Sequence, residues 1–372
     1  MKRLSKSVGL FFVFILLFVF LVNPSVLAAE DSWVTKEPMP YLRRDFGVAV
    51  VDGKIFAIGG KYNDTWVGRN EMYDPETDTW TIMSSMPTAR SDFAIAVYDG
   101  KIYAFGGATG PSYMEGGYVL TDATEVYDPE TNIWRSKSAL PMPRMSFNAH
   151  TVGDKIFTLS GAKLENTFMV YDFGVTEVYC PETDSWETKT PIPITVFGYA
   201  SAAVGDEIFV IGGLRRGISY NVWLTKLNQV YNTKTDSWSN KTAPIVALYK
   251  SSAGVTTGVF APEQIIVVGG IENSILKCFN TTQVYNPVND TWRYGASMPT
   301  VRSSFGVAVV NDTLYAFGGS NNDQYHRENE QYFPTGYIPE FPSLVFLPFV
   351  LITVFVVALY RKRMTAKSQL LQ

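Results

Sequence analysis

Apolar and polar positions alternate in short bursts along most of the chain, and the bursts return in a fixed order. At 94–98 the run AIAVY is followed by an Asp-Gly pair, then by KIYAF, then by two glycines. Alternation over about five residues is the period of a half-buried strand, and Asp-Gly or Gly-Asp between two such runs is hairpin chemistry, because these residues tolerate positive φ. The phrase that closes on the glycines occurs six times: DGKIFAIGG at 52–60, DGKIYAFGG at 99–107, GDKIFTLSG at 153–161, GDEIFVIGG at 205–213, PEQIIVVGG at 262–270 and NDTLYAFGG at 311–319. Self-similarity at a period of roughly 50 residues marks a blade-built or stacked architecture.

Each copy reads as four strands. Strand a is the alternating run before the polar turn, such as FGVAVV at 46–51, and strand b is the run that ends in the glycine doublet. Strand c surrounds a tyrosine and strand d begins at a tryptophan, with a turn between them: YDPETDTW at 73–80, YDPETNIW at 127–134, YCPETDSW at 179–186, YNTKTDSW at 231–238 and YNPVNDTW at 285–292. Four antiparallel strands cannot bury an apolar face alone, but copies set around an axis bury one another. The doublets end at Gly60, Gly107, Gly161, Gly213, Gly270 and Gly319. The tryptophans are Trp33, Trp80, Trp134, Trp186, Trp238 and Trp292, offset by one copy. This offset predicts that residues 32–38 supply strand d to the last blade, whose strands a to c come from 303–334, so that no sheet edge is left open.

The doublet, the tyrosine, the tryptophan six or seven residues later and the phrase MP-x-x-R (Met39 to Arg43, Met86 to Arg90) resemble kelch repeats, from residue 33 to about 336. The resemblance implies an all-β, six-bladed kelch β-propeller over 30–336.

Both ends carry membrane signals. Lys2, Arg3 and Lys6 precede the short apolar run Gly9 to Val22, and small residues follow, so 1–29 reads as a signal peptide. At the other end, the uncharged run within 343–360 is long enough for a transmembrane helix, and Arg361, Lys362, Arg363 and Lys367 begin a basic cytoplasmic tail over 361–372. The intervening linker 337–342 contains Pro339-Glu340-Phe341. This three-part tail resembles the PEF-type C-terminal sorting signals of archaeal surface proteins, which implies either sortase-like processing or a permanent single-pass anchor. Both place the propeller on the outer cell surface. Five Asn-x-Thr triplets, at Asn63, Asn240, Asn280, Asn289 and Asn311, are candidate glycosylation acceptors.

Composition narrows the chemistry. A net charge of −4 with no basic tract outside the ends argues against nucleic acid. Two cysteines, Cys180 and Cys278, are no disulfide framework. Two histidines, His150 and His326, stand far apart with no motif around them, so neither copper nor another metal or cofactor is expected.

With strands running alternately up and down, the short a–b and c–d turns share one face. The long, dissimilar b–c connections share the other, at 61–70, 108–122, 162–175, 214–227, 271–281 and 320–328. Irregular aromatic-bearing loops on a rigid scaffold are a usual place for recognition, and Trp66, Tyr113, Tyr118, Tyr220 and Trp223 are the candidate ligand contacts there. Arg43, Arg90, Arg144 and Arg302 each stand 17 residues before the last glycine of their copy, with Lys250 near the matching place in the fifth and Val196 in the fourth. They are expected either to ring the channel mouth and attract carboxylates or acidic sugars, or to pack on a neighbouring blade or pair with a local acid such as Asp45 or Asp92. The reading is a surface-displayed module binding a protein or glycan through the b–c loops. Its rivals are an acidic-sugar epimerase or mutarotase-like enzyme and a structural envelope component. Oligomeric state is left open.

Overall fold

The computed structural model describes residues 29–338 apart from 64, 111–118, 166–168, 217–221, 273–276 and 322–323. The predicted transmembrane helix, and all but the last residue of the predicted signal peptide, lie outside the described residues. Among the described residues no helix is long and apolar enough to cross a membrane.

Six four-stranded antiparallel sheets stand among these residues. Blade 1 takes Gly47–Val51, Lys54–Ile58, Asn70–Asp74 and Thr79–Met83 as strands a to d. Blades 2 to 5 repeat the order from Ala94–Tyr98, Asn148–Val152, Ala200–Val204 and Ser252–Val255. Blade 6 is built from Gly306–Val310, Thr313–Phe317 and Asn329–Phe333, and its fourth strand is Ser32–Lys36, with Trp33 opposite Tyr332. The predicted closure by the N-terminal segment is present, and residues Ala28–Tyr337 form one compact unit.

Local chemistry explains the repeat. Asp52 and Gly53 have φ of +49° and +71°, the mirror-image turn whose twist matches the flanking strands. The doublet is a packing requirement: Gly60 sits at φ +94°, and a Cβ there would lie 2.7 Å from both the Arg44 carbonyl oxygen and the Phe46 Cβ.

The tyrosine–tryptophan turn proves to be a clamp between blades. Tyr73, Tyr127, Tyr179, Tyr231, Tyr285 and Tyr332 are fully buried. Each lies against the tryptophan of its own strand d, with ring centroids 4.8–5.1 Å apart. Each phenol donates to the acid or amide two residues before that tryptophan: Asp78, Asn132, Asp184, Asp236 and Asp290, and Asp31 in blade 6. The same oxygen accepts a backbone N–H of the preceding blade, from Glu37 onto Asp78 at 2.9 Å and from Ala296 onto Asp31 at 2.7 Å. The indole donates to that blade as well, Trp80 to Glu37 O at 2.9 Å and Trp33 to Ala296 O at 2.8 Å. These acids and amides hold φ of +49° to +56°, a region Asp and Asn enter at low cost. Apolar side chains between neighbouring sheets complete the seam, as with Phe56, Ile58, Phe93, Ile102 and Tyr127 between blades 1 and 2. Each fully buried side chain of this kind stabilises by about 2–3 kcal/mol.

Candidate functional site on the hairpin face

In five blades the b–c connections leave the sheet as small separate hairpins, and in blade 5 strands b and c themselves run on into the connection. In blade 1, Lys61–Tyr62 pairs with Thr65–Trp66, and in blade 4, Leu214–Arg216 pairs with Val222–Leu224. The start of each hairpin bridges to the segment that leads into strand a: Arg44 with Lys61, Ser91 with Ala108, and so on to Ser303 with Ser320. The variable hairpins are thereby fixed around the mouth of the axial channel.

The four arginines do not ring that mouth. Arg43, Arg90, Arg144 and Arg302 are 0% exposed. Each guanidinium turns into its own blade and pairs with a strand-c glutamate: Arg43 with Glu71, Arg90 with Glu125 at 3.0 Å, Arg144 with Glu177 and Arg302 with Glu330 at 2.6 Å. Each glutamate is buried too. Burial pushes the Arg90 guanidinium down to about 10 against the opposing pull of Glu125, and lowers Arg144 and Arg302 for the same reason. A side chain with no accessible surface meets no ligand, so the proposed attraction of carboxylates by these arginines is withdrawn. The glutamates went unread because they sit inside strand c and look like ordinary polar alternation.

Two residues further on, the chain builds the mouth itself. Asp45, Asp92, Ser146, Gly198, Lys250 and Ser304 all hold φ between +51° and +59°. Their backbones form a closed ring, in which Asp92 N–H donates to Asp45 O, Ser146 to Asp92, Gly198 to Ser146, Lys250 to Gly198, Ser304 to Lys250 and Asp45 to Ser304, at 2.7–3.1 Å. Lys250 therefore matches Asp45, and Leu248 takes the place of the arginine. The Lys250 Nζ lies 2.6 Å from Asp45 and 3.4 Å from Asp92, and Lys61 lies 3.6 and 3.9 Å from the same two carboxylates. Burial works to raise the Asp45 carboxyl, but Lys250 and Lys61 outweigh it and hold Asp45 well below the usual carboxylate range. Burial opposes charge on Lys250 as well, and the two aspartates more than compensate. Asp45 and Asp92 serve these lysines, not the arginines. The signal was in the sequence: two acids and one lysine at a position that is Ser or Gly elsewhere.

Behind the ring, the channel is walled by strand a of every blade, with a polar arc at Asn148, His150 and Ser201. His150 Nε2 is 2.6 Å from Ser201 Oγ, and burial pushes the imidazole down to about 4. Unfolding restores a value near 6.5, so the unfolded chain binds more protons between these values and stability falls as pH drops from about 6.5 to 4, by an amount that the half-buried position of the ring in the channel wall keeps small. His150→Ala, which installs the residue that blades 1, 2 and 6 use at this register, should remove that part of the slope in urea unfolding series. An unchanged slope would show that another group titrates.

A groove of about 680 Å³ opens on the hairpin face where blade 6 meets blade 1. Pro40, Tyr41 and Leu42 come from the segment after the closing strand, Tyr62, Thr65 and Arg69 from the blade 1 hairpin, and Arg327 from blade 6. Tyr41 and Tyr62 are 36% and 40% exposed. The Arg69 guanidinium stands 3.6 Å over the Tyr41 ring, and Tyr62 meets Tyr325 edge-on at 4.9 Å.

Of the other predicted contacts, Trp66 is half-buried at the base of the blade 1 hairpin and Trp223 is 43% exposed on blade 4, so they belong to different blades. Tyr113, Tyr118 and Tyr220 lie outside the described residues. Asn63, Asn240, Asn289 and Asn311 are exposed. Asn280 is not free in the folded domain: its amide donates to Met298 O at 2.7 Å, and Thr282 of its triplet is fully buried. Among the described residues no group of three or more His, Cys, Asp or Glu side chains is placed to hold a metal ion.

Fold and face together define a six-bladed β-propeller with one variable hairpin face. Its repeats are kelch repeats: residues 42–87 and 89–141 match the Kelch motif, and residues 137–319 match the KLHDC2/KLHL20/DRC7 Kelch-repeats domain. The chain is a kelch-repeat protein. Human Kelch-like protein 15 is 28% identical over 211 residues, 52% of this chain and 33% of that protein. Kelch-like protein 36 of Bos taurus is 26% identical over 297 residues, 78% of this chain and 38% of that protein. The chain thus matches little more than a third of the length of these relatives. Among solved structures, that of YjhT superimposes with a TM-score of 0.67 at 15% identity, over 78% of this chain and 95% of that one, a likeness of fold alone.

Proposed function

We propose that this protein is a cell-surface binding module that holds a protein or glycan ligand on its hairpin face, centred on the groove between blades 6 and 1. The observation that carries the reading is the groove itself, where exposed Tyr41 and Tyr62 stand beside exposed Arg69 and Arg327 on a rigid ring. Exposed aromatic and arginine side chains clustered in a concavity are the usual anchors of a binding surface. Surface display is supported by the N-terminal signal pattern, the C-terminal apolar run and the basic tail. The same location makes Asn240, Asn289 and Asn311 glycan acceptors, whereas Asn63 lines the groove, where a glycan would compete with the ligand. The burial of the arginines leaves an acidic-sugar enzyme without its proposed cations.

Cells displaying the chain supply the test. An antibody against the propeller should label intact cells, which reads display. Ligands found with the propeller by affinity capture or on a glycan array should be retained by those cells. Tyr62→Ser and Tyr41→Ser should each weaken retention by about tenfold, the loss of one aromatic anchor. Equal retention by both variants, with loss instead on altering the turn at the opposite face, would move the binding surface elsewhere.

A further inference from the structure

We propose that the turn face of the propeller, opposite the hairpins, rests on a lipid surface through Val259 and Val288 of blade 5. This step relies on the C-terminal anchor in the surface-display reading above. In blades 1 to 3 the tips of the a–b and c–d turns are exposed acids, Asp52 with Glu76, Asp99 with Glu130 and Asp154 with Glu182. Blade 4 pairs Asp206 with Lys234. Blade 5 breaks the pattern. Val288 stands where the c–d turns of blades 1 to 4 have Glu or Lys, and it is 83% exposed. The a–b connection of blade 5 is lengthened to residues 256–264 and carries Val259, 70% exposed. That loop is held in place from the next blade. Asp312, buried at the a–b turn of blade 6, accepts the N–H groups of Val259 at 3.0 Å, Phe260 at 2.7 Å and Ala261 at 3.0 Å. A loop fixed in this way has little freedom to fold its apolar tip out of water, and apolar side chains left outside mark a contact surface.

What covers the valines follows from where the chain leaves the propeller. Strand c of blade 6 ends at Phe333 on this same face, and the chain then runs beside the lengthened loop. A Cβ on Gly336 would lie 3.0 Å from Pro262 Cδ, the Gly336 N–H donates to Glu30 Oε2 at 2.9 Å, and Tyr337 meets Phe333 edge-on. The exit is thereby fixed next to Pro262, three residues from Val259. Residues 338–342 separate Tyr337 from the uncharged run that begins at 343, a reach of about 20 Å at full extension. A bilayer entered by that run stays within this reach of the exit. Contact is then intramolecular, and two valines with half-buried Phe260 need little affinity of their own. The acids of blades 1 to 3 are repelled by anionic headgroups, which confines contact to the side of blades 5 and 6 and favours uncharged or zwitterionic lipid. The hairpin face, with its groove, then points away from the membrane. Asn289 adjoins Val288, so a glycan on Asn289 and lipid on Val288 exclude each other.

The full-length chain in phosphatidylcholine vesicles tests the contact. In a Cys180→Ser background, which leaves the buried Cys278, a fluorophore is placed at Val288→Cys, at Val259→Cys or, on the hairpin side, at exposed Lys226→Cys. Lipids carrying a headgroup quencher should dim the label at 288 and at 259 about twofold more than at 226, and Val288→Asp should lower the quenching at 259 by about half. Both valines are exposed, so these variants should melt like the parent. Chain that floats with the vesicles but is quenched equally at all three sites overturns the proposal and leaves surface display standing. Quenching at 259 that Val288→Asp leaves unchanged does the same, as does full glycan occupancy at Asn289 on displaying cells. Chain that does not float with the vesicles has no anchor there, and both this proposal and the display reading fall.

Discussion

Replacing Arg90 by leucine should destabilise the propeller by about 3–5 kcal/mol, the cost of leaving a buried carboxylate without its cation. Arg90 is 0% exposed and Glu125 is buried beside it at 3.0 Å, so water cannot take over the guanidinium's role. The molecule itself shows how to relieve the cost. Where blades 4 and 5 replace the arginine by Val196 and Leu248, the strand-c glutamate is replaced as well, by Gln229 and Gln283. Gln229 Oε1 accepts the Ile194 N–H at 3.0 Å and its Nε2 donates to Ile194 O at 2.8 Å, and Gln283 does the same with Val246. Glu125 already accepts the corresponding Thr88 N–H at 3.2 Å, so a glutamine there keeps that bond. Arg90→Leu/Glu125→Gln should therefore recover most of the loss, and a double-mutant cycle by urea unfolding of Ala28–Tyr337 would measure a large favourable coupling. Equal destabilisation by the single and double variants would mean that the arginine contributes through packing and its carbonyl bonds, such as that to Ala104 O at 3.1 Å, and not through the ion pair.

This pairing marks the boundary of what the chain discloses before it is folded. Blade number, strand order and closure were legible because they follow from a local period: alternating runs, Asp-Gly turns, glycines at positive φ, and a tryptophan count offset by one copy. The clamp was half legible, since size alone assigns Tyr73 and Trp80 to packing, while the role of Asp78 needs the neighbouring blade's Glu37 N–H. Side-chain direction was not legible. A regular arginine at the head of each repeat reads equally well as pointing to the axis or into the sheet, and only the strand-c glutamate decides it. The groove was hidden for a related reason. Tyr41, Arg69 and Arg327 come from three segments of the chain, with Arg327 on the far side of the ring closure, and no local pattern brings them together.

That closure is the basis of the second large effect. A chain beginning at Met39 lacks Ser32–Lys36 and loses the whole pairing with Asn329–Phe333, together with the Trp33 indole bond to Ala296 O and the Tyr332 bond to Asp31. Truncating Trp33 alone to alanine should cost about 3 kcal/mol, at the low end for a large aromatic because it is only partly buried. Removing the strand should do far more, because Asn329–Phe333 becomes an open edge and blade 5 loses the tryptophan clamp that holds blade 6 against it. The expected result is loss of a cooperative thermal transition, with self-association that grows with protein concentration through the unpaired edge. A synthetic peptide spanning residues 30–38 should restore the transition in trans, since strand addition supplies backbone bonds, the indole and the Asp31 carboxylate at once. A truncated chain that melts cooperatively at the parent temperature, without the peptide, would mean that five blades and a three-stranded sixth are held by their inner strands alone. The ring of backbone bonds from Asp45 through Ser304, which the truncation leaves intact, would then be the closure that matters.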